Sequence, residues 1–212
     1  MEIISDRVNR LSESATIAMA RKARELKSKG IDIISLSLGE PDFNTPDFIK
    51  DAGKEGIDKN FSKYMPVNGY QDLREAISNK FKRDNGIDYS TEQIVVSTGA
   101  KQSIANVVLS LINPGDEVIV PAPYWVSYAE IIKMAEGVPV FIDTSIKNDF
   151  KISTSELQGA ITDKTKMMVY SSPCNPSGSV YSKEELRSLA DILVNYPSIT
   201  VLSDEIYEHI NF

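Results

Sequence analysis

One cysteine, Cys174, and one histidine, His209, stand in the whole 212-residue sequence. A lone cysteine excludes a disulfide within the chain and is usual for a reducing compartment. With so few thiols and imidazoles, no metal site is expected. No apolar run approaches the roughly 20 residues that span a bilayer. The opening Met1-Glu2-Ile3-Ile4-Ser5-Asp6-Arg7 has no basic segment leading into an apolar one, so no secretory signal is expected, and the expected location is cytoplasmic. Blocks of like charge, low-complexity tracts, internal repeats and flexible linkers are also missing. The 30 acidic residues are interleaved with 23 basic ones, and the net charge of −7 argues for solubility and against a nucleic-acid footprint. Small molecules are the partners left.

What is present is an ordinary globular composition, 42% hydrophobic and 25% charged, enough for one large domain or a domain and a half. Residues 14–29 read as a modestly amphipathic helix through Ile17, Ala20 or Arg21, and Arg24, stopped by Gly30. Ile31 to Leu38 reads as a strand entering the turn Gly39-Glu40-Pro41-Asp42. Thr45-Pro46 should open the next helix, with threonine as cap and proline at the first helical position. A further helix runs from Gln71 to Asp84 and ends at Asn85-Gly86.

From there short β-branched runs alternate with longer helical ones. The expected strands are Ile94–Ser97, Glu117–Val120, Val138–Ile142, Met167–Tyr170 and Ile199–Leu202; the expected helices are Ala100–Ile112, Trp125–Ala135, Ser155–Ile161 and Ser182–Leu193. The last helix opens on a capping box, Ser182-Lys183-Glu184-Glu185. The rhythm predicts an α/β fold, a mostly parallel sheet with helices on both faces. A domain boundary is placed near residue 45, where the alternation has not begun.

In such folds ligands bind beyond the carboxyl ends of the strands, and those positions are chemically unusual here. Thr98-Gly99-Ala100-Lys101 introduces a helix whose free backbone donors suit a phosphate; an ordinary capped turn is the alternative. Pro123-Tyr124-Trp125 offers an aromatic ring for stacking, or for filling a core. Pro173-Cys174-Asn175-Pro176 presents one side-chain amide between two prolines, or forms a structural turn. Asp204 and Tyr207 put a carboxylate and a phenol three positions apart; a helix cap or half of a salt bridge is the plainer reading of the acid. Taken jointly, these residues describe a site for one flat, phosphorylated, nitrogen-containing aromatic. Cys174 has no accompanying base motif and is not read as a nucleophile; His209 is read as structural or solvated.

Over its whole length the sequence resembles the class I aminotransferases, pyridoxal-phosphate enzymes of the aspartate aminotransferase fold. The matching stretches, in order, are Ser14-Ala15-Thr16, Leu38-Gly39-Glu40-Pro41-Asp42-Phe43, Tyr64 through Gly69 to Leu73-Arg74, Gly99-Ala100-Lys101-Gln102, Pro114-Gly115-Asp116-Glu117, Pro123 to Tyr128, Asn175-Pro176-Ser177-Gly178 and Ser203-Asp204-Glu205-Ile206-Tyr207. The bacterial subgroup of aspartate aminotransferases looks nearest. The resemblance implies that Asp204 pairs with the pyridine nitrogen of pyridoxal 5'-phosphate, that Trp125 stacks on its ring, and that Asn175 and Tyr207 bond its 3′-oxygen. It places Gly99, Ala100 and Lys101 at the phosphate, with Tyr64 reaching the phosphate of a neighbouring subunit in a homodimer. The substrate, an amino acid and a 2-oxo acid, would meet Gly39, Trp125, Asn175, Lys101, Ser14 and Thr16. Lys101 favours a dicarboxylic amino acid such as aspartate, with 2-oxoglutarate as the other substrate.

Some members of that family also use prephenate and carry a lysine at the position matching Ser12, which puts that activity in doubt here. Cys174 replaces an asparagine often found before Asn-Pro. By the same resemblance residues 1–45 are the N-terminal arm and part of a small domain, and residues 46–212 a large cofactor-binding domain. The family's Schiff-base lysine, in a Ser-x-x-Lys setting, and its carboxylate-gripping arginine come later than Phe212. This chain taken alone is therefore expected to be inactive and poorly stable. The alternatives are another pyridoxal-phosphate enzyme of the fold, such as an aromatic or prephenate aminotransferase or a C–S lyase, or a noncatalytic truncated homologue.

Overall fold

A computed structural model describes residues 3–36, 38–41 and 43–210. The helices are α1 (Asp6–Asn9), α2 (Ala15–Ser28), α3 (Asp47–Asp58), α4 (Gln71–Lys80), α5 (Ala100–Leu111), α6 (Ser127–Met134), α7 (Thr154–Ala160) and α8 (Lys183–Leu193). The strands are β1 (Glu117–Ala122), β2 (Val138–Asp143), β3 (Thr165–Ser171) and β4 (Thr200–Asp204). The contacts divide the chain into two compact units: residues 1–14 with 98–212, and residues 15–97. Residue 45 falls inside the second of these. Among the described residues no helix is long and apolar enough to cross a membrane.

In the first unit the four strands form one parallel sheet in the order β2-β1-β3-β4. The sheet follows from residues that bury both faces of a strand. Val118 and Val120 on β1 and Met167 and Val169 on β3 pack with Ile104 and Val108 of α5 and with Tyr128, Ile131 and Ile132 of α6. The alternate residues, Ile119 and Met168, turn the other way and pack with Ile142, Leu157 of α7 and Leu189 of α8. Period-two side-chain alternation thus serves two apolar layers, as a sheet covered on both sides requires. Each fully buried side chain of this kind contributes about 1.5–3 kcal/mol. The N-terminal segment is held on α6 and the turn after it: the Ser12 N–H donates to Glu130 of α6 at 2.8 Å, and Arg10 pairs with Glu136 in the turn at 2.6 Å.

The chain leaves β1 to one side for β2, then crosses back over β1 to β3 and on to β4. The direction of winding reverses between β1 and β3. That topological switch opens a crevice at the carboxyl ends of these strands, where Pro121, Tyr124, Ser171, Cys174, Asn175 and Tyr128 line a small cavity.

The second unit holds α2, α3 and α4. The expected helix over residues 14–29 is α2, with Ala20 buried and Gly30 left-handed after it. Helix α4 continues through a wider π-turn, Phe81–Asn85, to Gly86 at φ 68°, so the expected stop holds. Arg74 is buried and donates to the carbonyls of Gly69 at 3.3 Å and Thr91 at 2.7 Å. Pro46 is the residue before α3 and makes no side-chain cap bond, so that helix begins one position later than expected.

Two expected strands are not formed among the described residues. Ile31–Leu38, of which Ser37 lies outside them, runs without a ladder, and its Ile34 and Leu36 are exposed. Asp42, in the expected turn, also lies outside the described residues. Ile94–Ser97 is extended but joins no sheet; the Val96 N–H donates to the Asn68 carbonyl at 3.1 Å. An apolar β-branched run makes a strand only where another strand lies alongside to take its backbone bonds.

Candidate active site

Asp204 is the last residue of β4, and its register partner at the end of β3 is Ser171. Only 9% of Asp204 is exposed. Its Oδ2 accepts the Tyr128 hydroxyl at 2.6 Å, and its Oδ1 accepts the Ile206 N–H at 3.3 Å. Tyr128 sits in the first turn of α6 and is 2% exposed. Burial first, and then the hydrogen bond and negative charge of Asp204, push the Tyr128 phenol well above the ordinary tyrosine range. It is therefore a donor at any ordinary pH.

Trp125, just before α6, meets the Tyr128 ring edge-on, with centroids 5.5 Å apart and planes at 86°. The Lys101 ammonium lies 5.0 Å from the Trp125 centroid, a cation over a π face. Lys101 is in the first turn of α5. Gly99 precedes that helix at φ 87°, a conformation that side-chain-bearing residues rarely adopt. The N–H groups of Ala100 and Lys101 open the helix and have no carbonyl one turn back to bond. The Thr98 N–H is taken by the Gln102 side chain at 2.5 Å.

The turns after β3 and β4 are joined by a second contact. The Asn175 side-chain amide donates to the Tyr207 hydroxyl at 2.8 Å. Behind it the Cys174 thiol is directed at the Pro123 carbonyl, 3.5 Å away, while the Ser179 carbonyl accepts the Cys174 N–H. Cys174 thus serves to pack two turns together. His209 is exposed, and its nearest acid, Glu208, is 3.8 Å distant. Among the described residues no cluster of histidine, cysteine, aspartate or glutamate could hold a metal ion.

Of the residues singled out in the sequence, Gly99, Ala100, Lys101, Trp125, Asn175, Asp204 and Tyr207 gather at the carboxyl edge of the sheet. Ser14 ends the N-terminal segment of the same unit, half-buried. Thr16 on α2, Gly39 and Tyr64 belong to the other unit; Thr16 is half-buried, while Gly39 and Tyr64 are exposed. Sequence pattern alone assigns no role to Tyr128, although its position three residues after Trp125 is the signal available: one helical turn brings such a pair together.

A compact acid, a stacking ring, an amide with a phenol and the open start of a helix meet at one topological switch. The profile of the family described as aminotransferase class I and II matches residues 31–212. The chain belongs to that family. It is 51% identical over 212 residues to a probable aspartate/prephenate aminotransferase of Rickettsia bellii, covering all of this chain and 53% of that protein. It is 53% identical over 207 residues to an aspartate/prephenate aminotransferase of Nitrosomonas europaea, covering 98% of this chain and 52% of that one. The aspartate aminotransferase of Thermus thermophilus, solved with maleate, superimposes with a TM-score of 0.95 at 42% identity, over 100% of this chain and 55% of that one. The chain spans about half the length of the relatives it matches. Its parallel four-stranded sheet with helices on both faces is the aspartate aminotransferase fold of this aminotransferase family.

Proposed function

We propose that the full-length protein is a pyridoxal-phosphate-dependent aminotransferase exchanging an amino group between aspartate, or another dicarboxylic amino acid, and 2-oxoglutarate. The observation that carries this reading is the buried Asp204 at the end of β4, tied through Tyr128 to Trp125 and so to the start of α5. The donor set fits the cofactor's chemistry: an acid for a basic ring nitrogen, a flat ring for stacking, donors for a ring oxygen, and free N–H groups beside a cation for a phosphate. Pyridoxal phosphate, when bound, supplies an electron-accepting ring that weakens a bond at the substrate's α-carbon.

The chain's own residues then have defined tasks. Asp204 keeps the ring nitrogen protonated. Trp125 covers one face of the ring and excludes water from it. Asn175 and Tyr207, already bonded to each other, orient donors toward the ring oxygen. Gly99, Ala100 and Lys101 hold the phosphate, where a Cβ at Gly99 would strain the backbone. Tyr64 serves the phosphate of a second copy in a homodimer. Gly39, Lys101, Ser14 and Thr16 contact substrate, and the dicarboxylate maleate bound by the Thermus thermophilus enzyme supports a two-carboxylate ligand. The assignment of residues 1–45 to an arm and small domain and of 46–212 to a large domain belongs to this proposal, as does a cytoplasmic location.

A second reading adds prephenate as amino acceptor, because the relatives from Rickettsia bellii and Nitrosomonas europaea both carry that name. Ser12 is the residue that speaks against it: its N–H is committed to Glu130 and its side chain is a hydroxyl, not an ammonium.

The test is cofactor uptake and turnover by the full-length protein. Aspartate with 2-oxoglutarate should yield glutamate without ammonia release, and Asp204→Ala should bind cofactor weakly and lose turnover. Ammonia or sulfide release from amino acids, with no glutamate, would overturn the reading in favour of a lyase. The same assay with prephenate as acceptor decides the second reading.

A further inference from the structure

We propose that Tyr128 is a positioning residue that sets Asp204 and Trp125 together, so that one side chain fixes both the acid and the stacking ring of the site. The inference rests on the aminotransferase reading above. Its basis is the two contacts that Tyr128 makes at once. The phenol donates to Asp204 Oδ2 at 2.6 Å, a length typical of a hydroxyl bonded to a charged oxygen. The ring receives Trp125 edge-to-face at 86°.

Neither contact is free to drift. Tyr128 is 2% exposed and packed among Ile104, Val118, Val120 and Val169, in the layer between the sheet and the helices α5 and α6. Its own N–H donates to the Trp125 carbonyl at 3.0 Å, which ties the two residues through the backbone as well. The phenol cannot exchange roles with the acid, because burial and the neighbouring charge keep its proton in place. Oδ2 of Asp204 is thereby committed. Oδ1, which has one long contact of 3.3 Å from the Ile206 N–H, is the oxygen left to face a basic ring nitrogen. A carboxylate without the phenol would be free to rotate and to present either oxygen.

Tyr181 provides the internal comparison. It is also buried, on the opposite face of the sheet, and its hydroxyl accepts the Ile152 N–H at 2.9 Å. Losing that hydroxyl removes a buried hydrogen bond, here accepted from a neutral backbone N–H, without touching Asp204.

The experiment uses the full-length protein, unsubstituted and as Tyr128→Phe, Tyr181→Phe, Asp204→Ala and the double variant Tyr128→Phe with Asp204→Ala. Cofactor-free samples are titrated with pyridoxal phosphate by tryptophan fluorescence, the absorbance maximum of the bound cofactor is recorded, and the cofactor-free melting temperature is measured. Tyr128→Phe should weaken cofactor binding by about tenfold or more, the size expected for a lost hydrogen bond to a charged group, and should move the absorbance maximum. Tyr181→Phe should do neither at a comparable loss of melting temperature. In the Asp204→Ala background, adding Tyr128→Phe should alter affinity less than about twofold, since coupled residues are non-additive. Equal weakening in both backgrounds would overturn the inference, because Tyr128 would then act by packing alone. So would an unchanged affinity and spectrum in Tyr128→Phe. Absence of cofactor uptake by the unsubstituted protein would overturn the functional reading, and this inference with it.

Discussion

The side-chain amide of Asn175 donates to the hydroxyl of Tyr207 across 2.8 Å, and this one bond joins the turn that follows β3 to the turn that follows β4. The two residues are 32 positions apart in sequence and meet because β3 and β4 are parallel neighbours ending level, Ser171 beside Asp204. Parallel pairing places both carboxyl ends on one edge, and so gathers side chains from successive turns. The phenol accepts from the amide and keeps its own proton available as a donor.

Tyr207→Phe removes that acceptor and donor while keeping the ring. Under the proposed function the full-length variant should bind pyridoxal phosphate more weakly, by up to about tenfold for one polar contact, with a comparable fall in turnover. Cofactor titration of the cofactor-free protein measures it. An affinity within twofold of the unsubstituted protein would remove Tyr207 from the binding set.

Gly69 and Gly137 make a second pair of expectations. A Cβ at Gly69 would stand 2.8 Å from Val96 Cβ and 2.7 Å from its Cγ2, at a backbone φ of 97°. A Cβ at Gly137 would meet Ile112 Cγ2 at 2.6 Å, with no left-handed backbone to strain. Gly69→Ala therefore carries a conformational cost of about 1–3 kcal/mol on top of the clash, whereas Gly137→Ala carries the clash alone. Urea denaturation of the two variants should find Gly69→Ala the less stable, and Val96→Ala should recover only the part of its loss that comes from the Val96 γ-carbons, since Val96 Cβ itself stands 2.8 Å away.

The sheet and the helices were legible in the sequence and the failure of two expected strands was not, for a common physical reason. Val118-Ile119-Val120 and Met167-Met168-Val169 are apolar at every position, which a strand buried on both faces demands. Of the intervening helices, α7 and α8 open on capping boxes. Ile31–Leu38 and Ile94–Ser97 look just as strand-like, yet strand formation depends on a neighbour that local composition does not reveal. In the site, the acid, ring and amide could be read because each lies at or just beyond the end of a strand, and the helix start because a glycine introduces it. Tyr128 lies inside a helix and resembles core filling, so its polar tip became visible only when β4 delivered Asp204 from 76 residues away. Thr16, Gly39 and Tyr64 had no local chemistry to mark them; the family resemblance alone named them.

The capping boxes of α7 and α8 set a third expectation. Ser153 accepts the Glu156 N–H at 3.2 Å while Glu156 accepts the Ser153 N–H at 2.7 Å, and Ser182 and Glu185 do the same at 3.1 and 2.6 Å. Ser153→Ala and Ser182→Ala should each cost about 1 kcal/mol. The backbone N–H of Ser153, and then its hydroxyl, hold the Glu156 carboxyl below its ordinary range; the Ser182 N–H and then Lys151 do so for Glu185. A lowered folded-state value stabilises above the unfolded pKa, and the benefit is lost as pH falls through the folded value. Glu156→Gln and Glu185→Gln, which remove the charge, should therefore differ most from the unsubstituted protein near neutral pH and converge with it in acid, whereas the serine variants keep the N–H that holds each carboxylate and should keep most of their difference. A glutamine-variant difference that stays constant down to pH 2 would contradict the carboxylate's part in the cap.

Tyr128 gives the opposite sign at the other end of the scale. Its phenol starts from an ordinary value of 10.0 and is raised by burial and by Asp204. Below about pH 10 the folded and unfolded chains both keep the proton, and Tyr128 adds no slope to stability. Above it the unfolded chain releases a proton that the folded chain retains, so unfolding is favoured as pH rises, by up to about 1.4 kcal/mol per pH unit for one group. Tyr181, raised chiefly by burial, adds to the same slope. Urea midpoints of the full-length protein between pH 9 and 11.5 should fall, and Tyr128→Phe and Tyr181→Phe should each flatten part of the fall. If Tyr128→Phe leaves the slope unchanged, the Tyr128 phenol is not held protonated in the folded state, and its role as a fixed donor to Asp204 fails with it.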